Sequence, residues 1–139
     1  MVNRFRIIFN RIKMDYKKLN VWQFSRALAS KVYVRTKDFP KAERFGLTSQ
    51  IRQCVISIPA NIAEGCGRRS NKDILRFLYI SRGSIYELET HLFISLDLNL
   101  IKPDVFNELN EDILECKKLL HGFIKYFKKR LESGYEIEE

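Results

Sequence analysis

Apolar residues at Leu47, Ile51, Val55, Ile58 and Ile62 step by 4, 4, 3 and 4, which is one face of a helix turning every 3.6 residues. Pro59 falls inside that run. Proline has no N–H, and its ring crowds the carbonyl four residues back, here that of Val55. An interior proline therefore bends or breaks a helix at a cost of about 3 kcal/mol. A chain that keeps a helical stripe through a proline needs local compensation, and this one carries polar residues around it. Ser57 and Asn61 flank Pro59, and short polar side chains of this kind bond freed backbone groups. Glu64 lies three residues beyond Asn61, on the same side of the helix. Gly65 and Gly67 are placed to end the helix, because glycine tolerates the left-handed C-terminal conformation. These polar residues read either as repair of a kink or as a ligand-binding set, and repair is the simpler reading.

Three further helices are expected. The first runs from about Leu19 to Lys37, with Asn20 as N-cap. Val21, Leu28 and Val32 make one stripe, and Trp22, Ala29, Tyr33 and Thr36 a second, so this helix is expected to bury against more than one neighbour. Phe39-Pro40 ends it, since the residue before proline avoids the helical region. Residues 41–46 are a linker with room for one short turn, and Thr48 is expected to cap the proline-bearing helix. The third helix begins at Ser70, with Asp73 three residues on as a short capping box, and runs to about Asn99. Ile74, Leu78, Ser81, Ile85, Leu88, Leu92 and Leu96 form its main stripe. Phe77, Ser84, His91, Ile94 and Leu98 form another. Gly83-Ser84 at its middle costs about 1 kcal/mol against alanine, and close approach of a second helix is the expected reason. Lys102-Pro103-Asp104 opens the fourth helix. There Phe106, Leu109, Ile113, Cys116, Leu120, Phe123 and Phe127 make a regular heptad seam, with Leu119, Ile124 and Leu131 beside it. The expected fold is all-α: an antiparallel up-down four-helix bundle over residues 19–131, its second helix kinked at Pro59. A basic N-terminal extension (residues 1–18) precedes it and an acidic tail (residues 132–139) follows.

Several of these segments also resemble a known family. The residues are Leu47-x-x-Gln50-Ile51-Arg52 and then Ser57-Ile58-Pro59-Ala60-Asn61-Ile62-Ala63-Glu64-Gly65. Leu19-x-Val21-Trp22-Gln23, Phe39-Pro40-x-x-Glu43, Gly46-Leu47 and Gly83-Ser84-x-x-Glu87-Leu88-Glu89-Thr90 add to them. Their order and spacing are similar to those of the 23S rRNA-intervening-sequence proteins, also called the S23 ribosomal protein family, from about Tyr16 to Lys129. The resemblance implies a small helical bundle that assembles as a homo-oligomeric ring, a pentamer, and it supplies no activity. It implies a structural part for Gln50, Arg52, Ser57, Pro59, Asn61, Glu64, Gly65, Gly83, Ser84 and Glu87. A related resemblance is to the accessory variability determinant of diversity-generating retroelements, which implies a reverse transcriptase and its template RNA as partners.

Charge points to an anionic partner. Of 25 Lys/Arg and 17 Asp/Glu, residues 1–69 hold 15 and 4, and residues 70–139 hold 10 and 13. The net charge of +8 therefore belongs to the N-terminal half. Residues 1–18 carry Arg4, Arg6, Arg11, Lys13, Lys17 and Lys18 against the single acid Asp15, and Phe5, Ile8, Phe9 and Ile12 have helical spacing. Three readings stay open for this segment: a flexible arm for nucleic acid, an extra helix packed on a neighbour, or a disordered extension upstream of Met14. Arg52, Arg68 and Arg69 complete the candidate nucleic-acid-binding set. Gly65-Cys66-Gly67-Arg68-Arg69 reads as a helix end and solvated turn ahead of a phosphate loop, since no Gly-Lys-Ser/Thr follows. Cys54, Cys66 and Cys116 are odd in number and widely spaced, which fits a reducing cytoplasmic compartment. No apolar run approaches the ~20 residues that cross a bilayer, so no membrane partner is expected.

Enzyme chemistry finds no warrant in the sequence. A di-iron bundle needs Glu-x-x-His, but Leu88 precedes His91 by three and Lys118 precedes His121 by three. Glu87 and His91 share a face, yet a lone histidine on an apolar helix is most often a satisfied core or interface residue, so neither metal nor cofactor is expected. Glu64 and Glu87 are expected to meet between helices with Arg52 as their partner. The leading expectation is a non-enzymatic oligomeric scaffold that binds nucleic acid, RNA first, by charge and shape. The alternatives are the retroelement accessory role and a protein-binding ring with no nucleic-acid role.

Overall fold

Pro59 does not interrupt its helix. In the computed structural model, which describes residues 15–134, the residues around it form one helix from Leu47 to Cys66. Four α-helices are present among the described residues: α1 (Asn20–Arg35), α2 (Leu47–Cys66), α3 (Asn71–Asp97) and α4 (Pro103–Glu132). Short 3-10 turns at Tyr16–Lys18 and Lys41–Glu43 precede α1 and α2. The described residues contain no strand. The contacts close a cycle, α1 on α2, α2 on α3, α3 on α4 and α4 on α1, which makes the fold an all-α four-helix bundle.

The core is built from the main stripe of each helix, while the second stripes of α1 and α3 are only partly covered, with Tyr33, Ile94 and Leu98 exposed. Ile51, Val55, Ile58 and Ile62 of α2 are fully buried, as are Ile74, Leu78, Ile85 and Leu88 of α3. Val21, Leu28 and Val32 come from α1, and Leu109, Ile113, Cys116, Leu120 and Phe127 from α4. In the last turns of α4 the seam departs from the expected heptad. Ile124 is buried and Phe123 is only partly covered, because the buried positions step 116, 120, 124, 127 there. Phe123 stacks edge-on against Phe127 instead, with ring centroids 5.0 Å apart.

The helix ends correct four expectations. Asn20 is not the N-cap of α1; Leu19 holds that position without a side-chain bond, and Asn20 is already helical. Thr48 does not cap α2. It lies inside the first turn, buried, and the Glu43 carboxylate accepts from the Leu47 N–H at 3.1 Å from the preceding turn. Ser70 caps α3 as predicted, its hydroxyl accepting from the Asp73 N–H at 3.1 Å. α3 ends two residues early, at Asp97. There Asn99 takes a positive φ of 57°, Leu100 N–H reaches Ser95 C=O at 2.8 Å, and Asn99 N–H reaches Leu96 C=O. This is the left-handed helix stop expected at the glycines after α2. Gly67 itself has φ −83° and terminates α2 without a left-handed turn.

Gly65 takes the close-approach role that the sequence suggests for Gly83. Gly65 is helical and buried. A Cβ there would sit 3.1 Å from the Phe77 Cβ and 3.3 Å from the Ile74 carbonyl oxygen, so Gly65 is where α2 and α3 approach closely. A Cβ on Gly83 would meet nothing within 4 Å. The close approach at mid-α3 is made by its neighbour, Ser84.

Candidate nucleic-acid interface

The polar residues around Pro59 join α2 to α3. Asn61 Nδ2 donates to the Ser57 carbonyl at 2.8 Å and to Ser57 Oγ at 2.9 Å. Ser57 and Ser84 share a hydroxyl–hydroxyl bond of 2.8 Å, and Ser84 Oγ donates to the Ile80 carbonyl at 3.2 Å. With the Ser84 proton so used, Ser57 donates to Ser84 and accepts from Asn61. One helical position away, Ser81 Oγ donates to the Ile58 carbonyl at 2.9 Å. These bonds fall on the Ser57 and Ile58 carbonyls, whereas the carbonyl deprived of its partner by Pro59 is that of Val55. The polar set therefore ties the proline-bearing turn to α3.

The expected meeting of Glu64, Glu87 and Arg52 does not occur. Glu64 pairs with Arg68 at 2.6 Å, one turn on. Glu87 faces His91 at 3.5 Å. Arg52 turns toward α1, where Nε donates to Thr36 Oγ1 at 3.2 Å, Nη2 reaches the Tyr33 carbonyl at 3.4 Å, and the guanidinium lies 4.6 Å from the centre of the Tyr33 ring. Gln50 is exposed.

Basic residues pair with acids, with aromatic rings or, as Arg68 and Arg76 do, with both. Those on α1 facing α4 are neutralised: Lys31 bonds Asp112 at 2.7 Å and Glu108 at 3.0 Å, and Arg35 bonds Glu108 at 2.7 Å. The Asp112 and Glu108 carboxylates hold the Lys31 ammonium above its ordinary pKa, and Lys31 and Arg35 hold the Glu108 carboxyl below its own. Elsewhere arginines lie over aromatic rings. Arg44 sits 5.4 Å from the Phe45 ring centre, Arg82 4.8 Å from Tyr79, and Arg68 and Arg76 4.5 and 4.4 Å from Phe77. Phe45 is 88% exposed.

Of the sequence-derived candidates, Arg4, Arg6, Arg11 and Lys13 lie outside the described residues. Lys17 and Lys18 are exposed on the turn before α1, with Lys17 5.9 Å from the Tyr16 ring centre. Arg68 and Arg69 line an open groove of about 830 Å³ at the α2–α3 junction, with Lys72, Arg76 and Tyr79. The backbone there is not free to cradle a phosphate, because Gly67 N–H bonds Glu64 C=O and Arg68 N–H bonds Gly65 C=O. Arg68 is also balanced by Glu64 and, at 3.7 Å, by Asp73. A second open groove of about 650 Å³ runs between Tyr33, Phe45, Arg44, Arg52 and Asn61. Sequence reasoning missed Arg44, Arg76 and Arg82. The available signal was an arginine one or three residues from an aromatic: Arg44-Phe45, Arg76-Phe77 and Tyr79-x-x-Arg82.

One more cluster was not foreseen. Cys54 of α2 comes against Glu87 and His91 of α3, and their donor atoms all lie within 4.8 Å of one another. Burial pushes the Cys54 thiol up to about 12, and the Glu87 carboxylate adds to the rise. Neither His91 ring nitrogen has a hydrogen-bond partner within this chain, so His91 is not a satisfied core residue, and the sequence reading of a core or interface residue is left with its interface form.

Known proteins place this geometry in a family. No curated protein matches the chain significantly. It is similar to a crystal structure from Bacteroides thetaiotaomicron described as a protein of unknown function from the S23 ribosomal protein family. The TM-score is 0.70 at 27% identity, covering 76% of this chain and 95% of that one. The family pattern of the 23S rRNA-intervening sequence protein matches residues 17–122. With both the sequence motifs and the four-helix architecture in agreement, the chain belongs to the 23S rRNA-intervening-sequence protein family.

Proposed function

We propose that this protein is a non-enzymatic scaffold that binds RNA through the arginine–aromatic surface of α2 and α3, and that it acts as a homo-oligomer. The observation that carries the reading is the pairing of arginines with rings: exposed Arg44 with Phe45, and half-buried Arg52 with Tyr33 and Arg82 with Tyr79. Guanidinium groups neutralise phosphates, and aromatic faces and guanidinium planes both stack unpaired bases. Tyr79 lines one open groove, and Tyr33, Arg44, Phe45 and Arg52 line the other. A family named for an rRNA insertion supports RNA over DNA. Ile80, Tyr86, Phe93 and Ile94 are exposed along α3, a surface that a second copy would cover, and the family resemblance implies five copies.

The test is a titration of fluorescent single-stranded RNA across salt concentrations, alongside the mass of the native assembly. Binding is expected to weaken steeply with salt, by a log–log slope of about −0.7 for each phosphate neutralised. An Arg44→Ala/Arg52→Ala/Arg82→Ala variant should lose affinity and flatten the slope. A chain that binds no RNA at low salt would leave the protein-binding ring as the better account. A monomeric mass would remove the oligomer.

A further inference from the structure

α2 and α3 bring three different ligating groups to one point. Glu87 and His91 stand one turn apart on α3, and Cys54 reaches them from α2. The thiol sulfur, a carboxylate oxygen and an imidazole nitrogen lie mutually within 4.8 Å. Both His91 nitrogens are shielded from water, and neither has a hydrogen-bond partner. Buried polar atoms are ordinarily paired, and a neutral imidazole always carries one free lone pair. Here that lone pair is held beside a thiol and a carboxylate, not in an apolar pocket.

We propose that Cys54, Glu87 and His91 form a binding site for a divalent transition metal, zinc first, each residue giving one ligand. Thiolate, imidazole and carboxylate are the three side-chain donors that zinc accepts, in tetrahedral sites with bonds of roughly 2.0–2.3 Å. Such bonds place ligand atoms roughly 3.3–3.8 Å apart. The three donors stand within 4.8 Å of one another, and Glu87, which is 55% exposed, leaves an entry path from solvent. Three protein ligands leave the fourth position to water. The soft thiolate selects against magnesium and calcium. Binding exchanges the thiol proton for the metal: the S–H bond breaks, the sulfur keeps the electron pair and donates it to the ion, and the proton goes to solvent. Nothing here depends on RNA binding.

The experiment uses the full chain freed of metal by a chelator and titrated first with Co²⁺ and then with Zn²⁺. One equivalent of Co²⁺ per chain is expected to give a sulfur-to-cobalt charge-transfer band, which one equivalent of Zn²⁺ discharges. Cys54→Ser should abolish the band, and Cys116→Ser should keep it. His91→Gln should weaken Zn²⁺ binding by more than the roughly 10–100-fold that loss of an outer-shell partner costs. No band in the unmutated protein, or a band surviving in Cys54→Ser, overturns the site. Should the variants fail to fold, the unmutated chain decides alone. Zn²⁺ must raise its melting temperature reversibly with chelator, and a melting temperature that Zn²⁺ leaves unchanged overturns the proposal.

Discussion

Two glycines show how much a single Cβ decides. An alanine at Gly65 brings its methyl to 3.1 Å from the Phe77 Cβ, an atom fixed to the α3 backbone, so the helices must part. Overpacking of this kind costs about 1–3 kcal/mol, against about 1 kcal/mol gained from better helix propensity. At Gly83 the methyl meets nothing within 4 Å, and only the propensity gain remains. Chemical denaturation of the two variants should therefore move in opposite directions, Gly65→Ala down and Gly83→Ala up. Equal shifts would show that the α2–α3 contact is placed wrongly. The sequence could not separate the two, since consecutive helical residues point about 100° apart and both glycines sit in runs of small residues. The same limit explains Cys54. It lies beside the legible Ile51–Val55–Ile58 stripe, but which residues of α3 it meets depends on how two helices slide past each other. No periodicity encodes that register.

Helices were the most legible scale. Stripes repeating over three or more turns located α1 to α4 within a few residues, because burial of a continuous face dominates helix formation in a folded domain. Ends were less legible. The cap of α2 comes from Glu43 in the preceding turn, and α3 stops at a left-handed asparagine. Between elements, the Lys31–Glu108–Asp112–Arg35 network ties α1 to α4. Glu108 has a lowered pKa, so its contribution is full above the ordinary carboxylate range and fades as pH falls through the depressed value. Lys31 has a raised pKa, so its contribution is full below the ordinary lysine value and fades as pH rises through the elevated one. Melting curves of the unmutated protein and Glu108→Gln should differ most near neutral pH. They should converge as pH falls through the depressed Glu108 value, and draw together in high salt because the pairs are partly exposed. A gap that widens in acid would contradict the network.

At the scale of the whole molecule, all three thiols are interior. Burial pushes Cys54, Cys66 and Cys116 up to about 12, leaving roughly one thiolate in ten thousand at pH 8. A thiol reagent should label none in native, metal-free protein within hours, and all three once the chain is unfolded. Rapid labelling of one in native buffer would mean that its helix opens locally. The acids of α4 have a larger consequence. By pairing with Lys31 and Arg35, Glu108 and Asp112 balance the charge along the α1–α4 seam, while Arg44, Arg52 and Arg82 lie against aromatic rings. Charge so unevenly balanced would exert a torque on the molecule near a polyanion and orient an encounter before any atom touches.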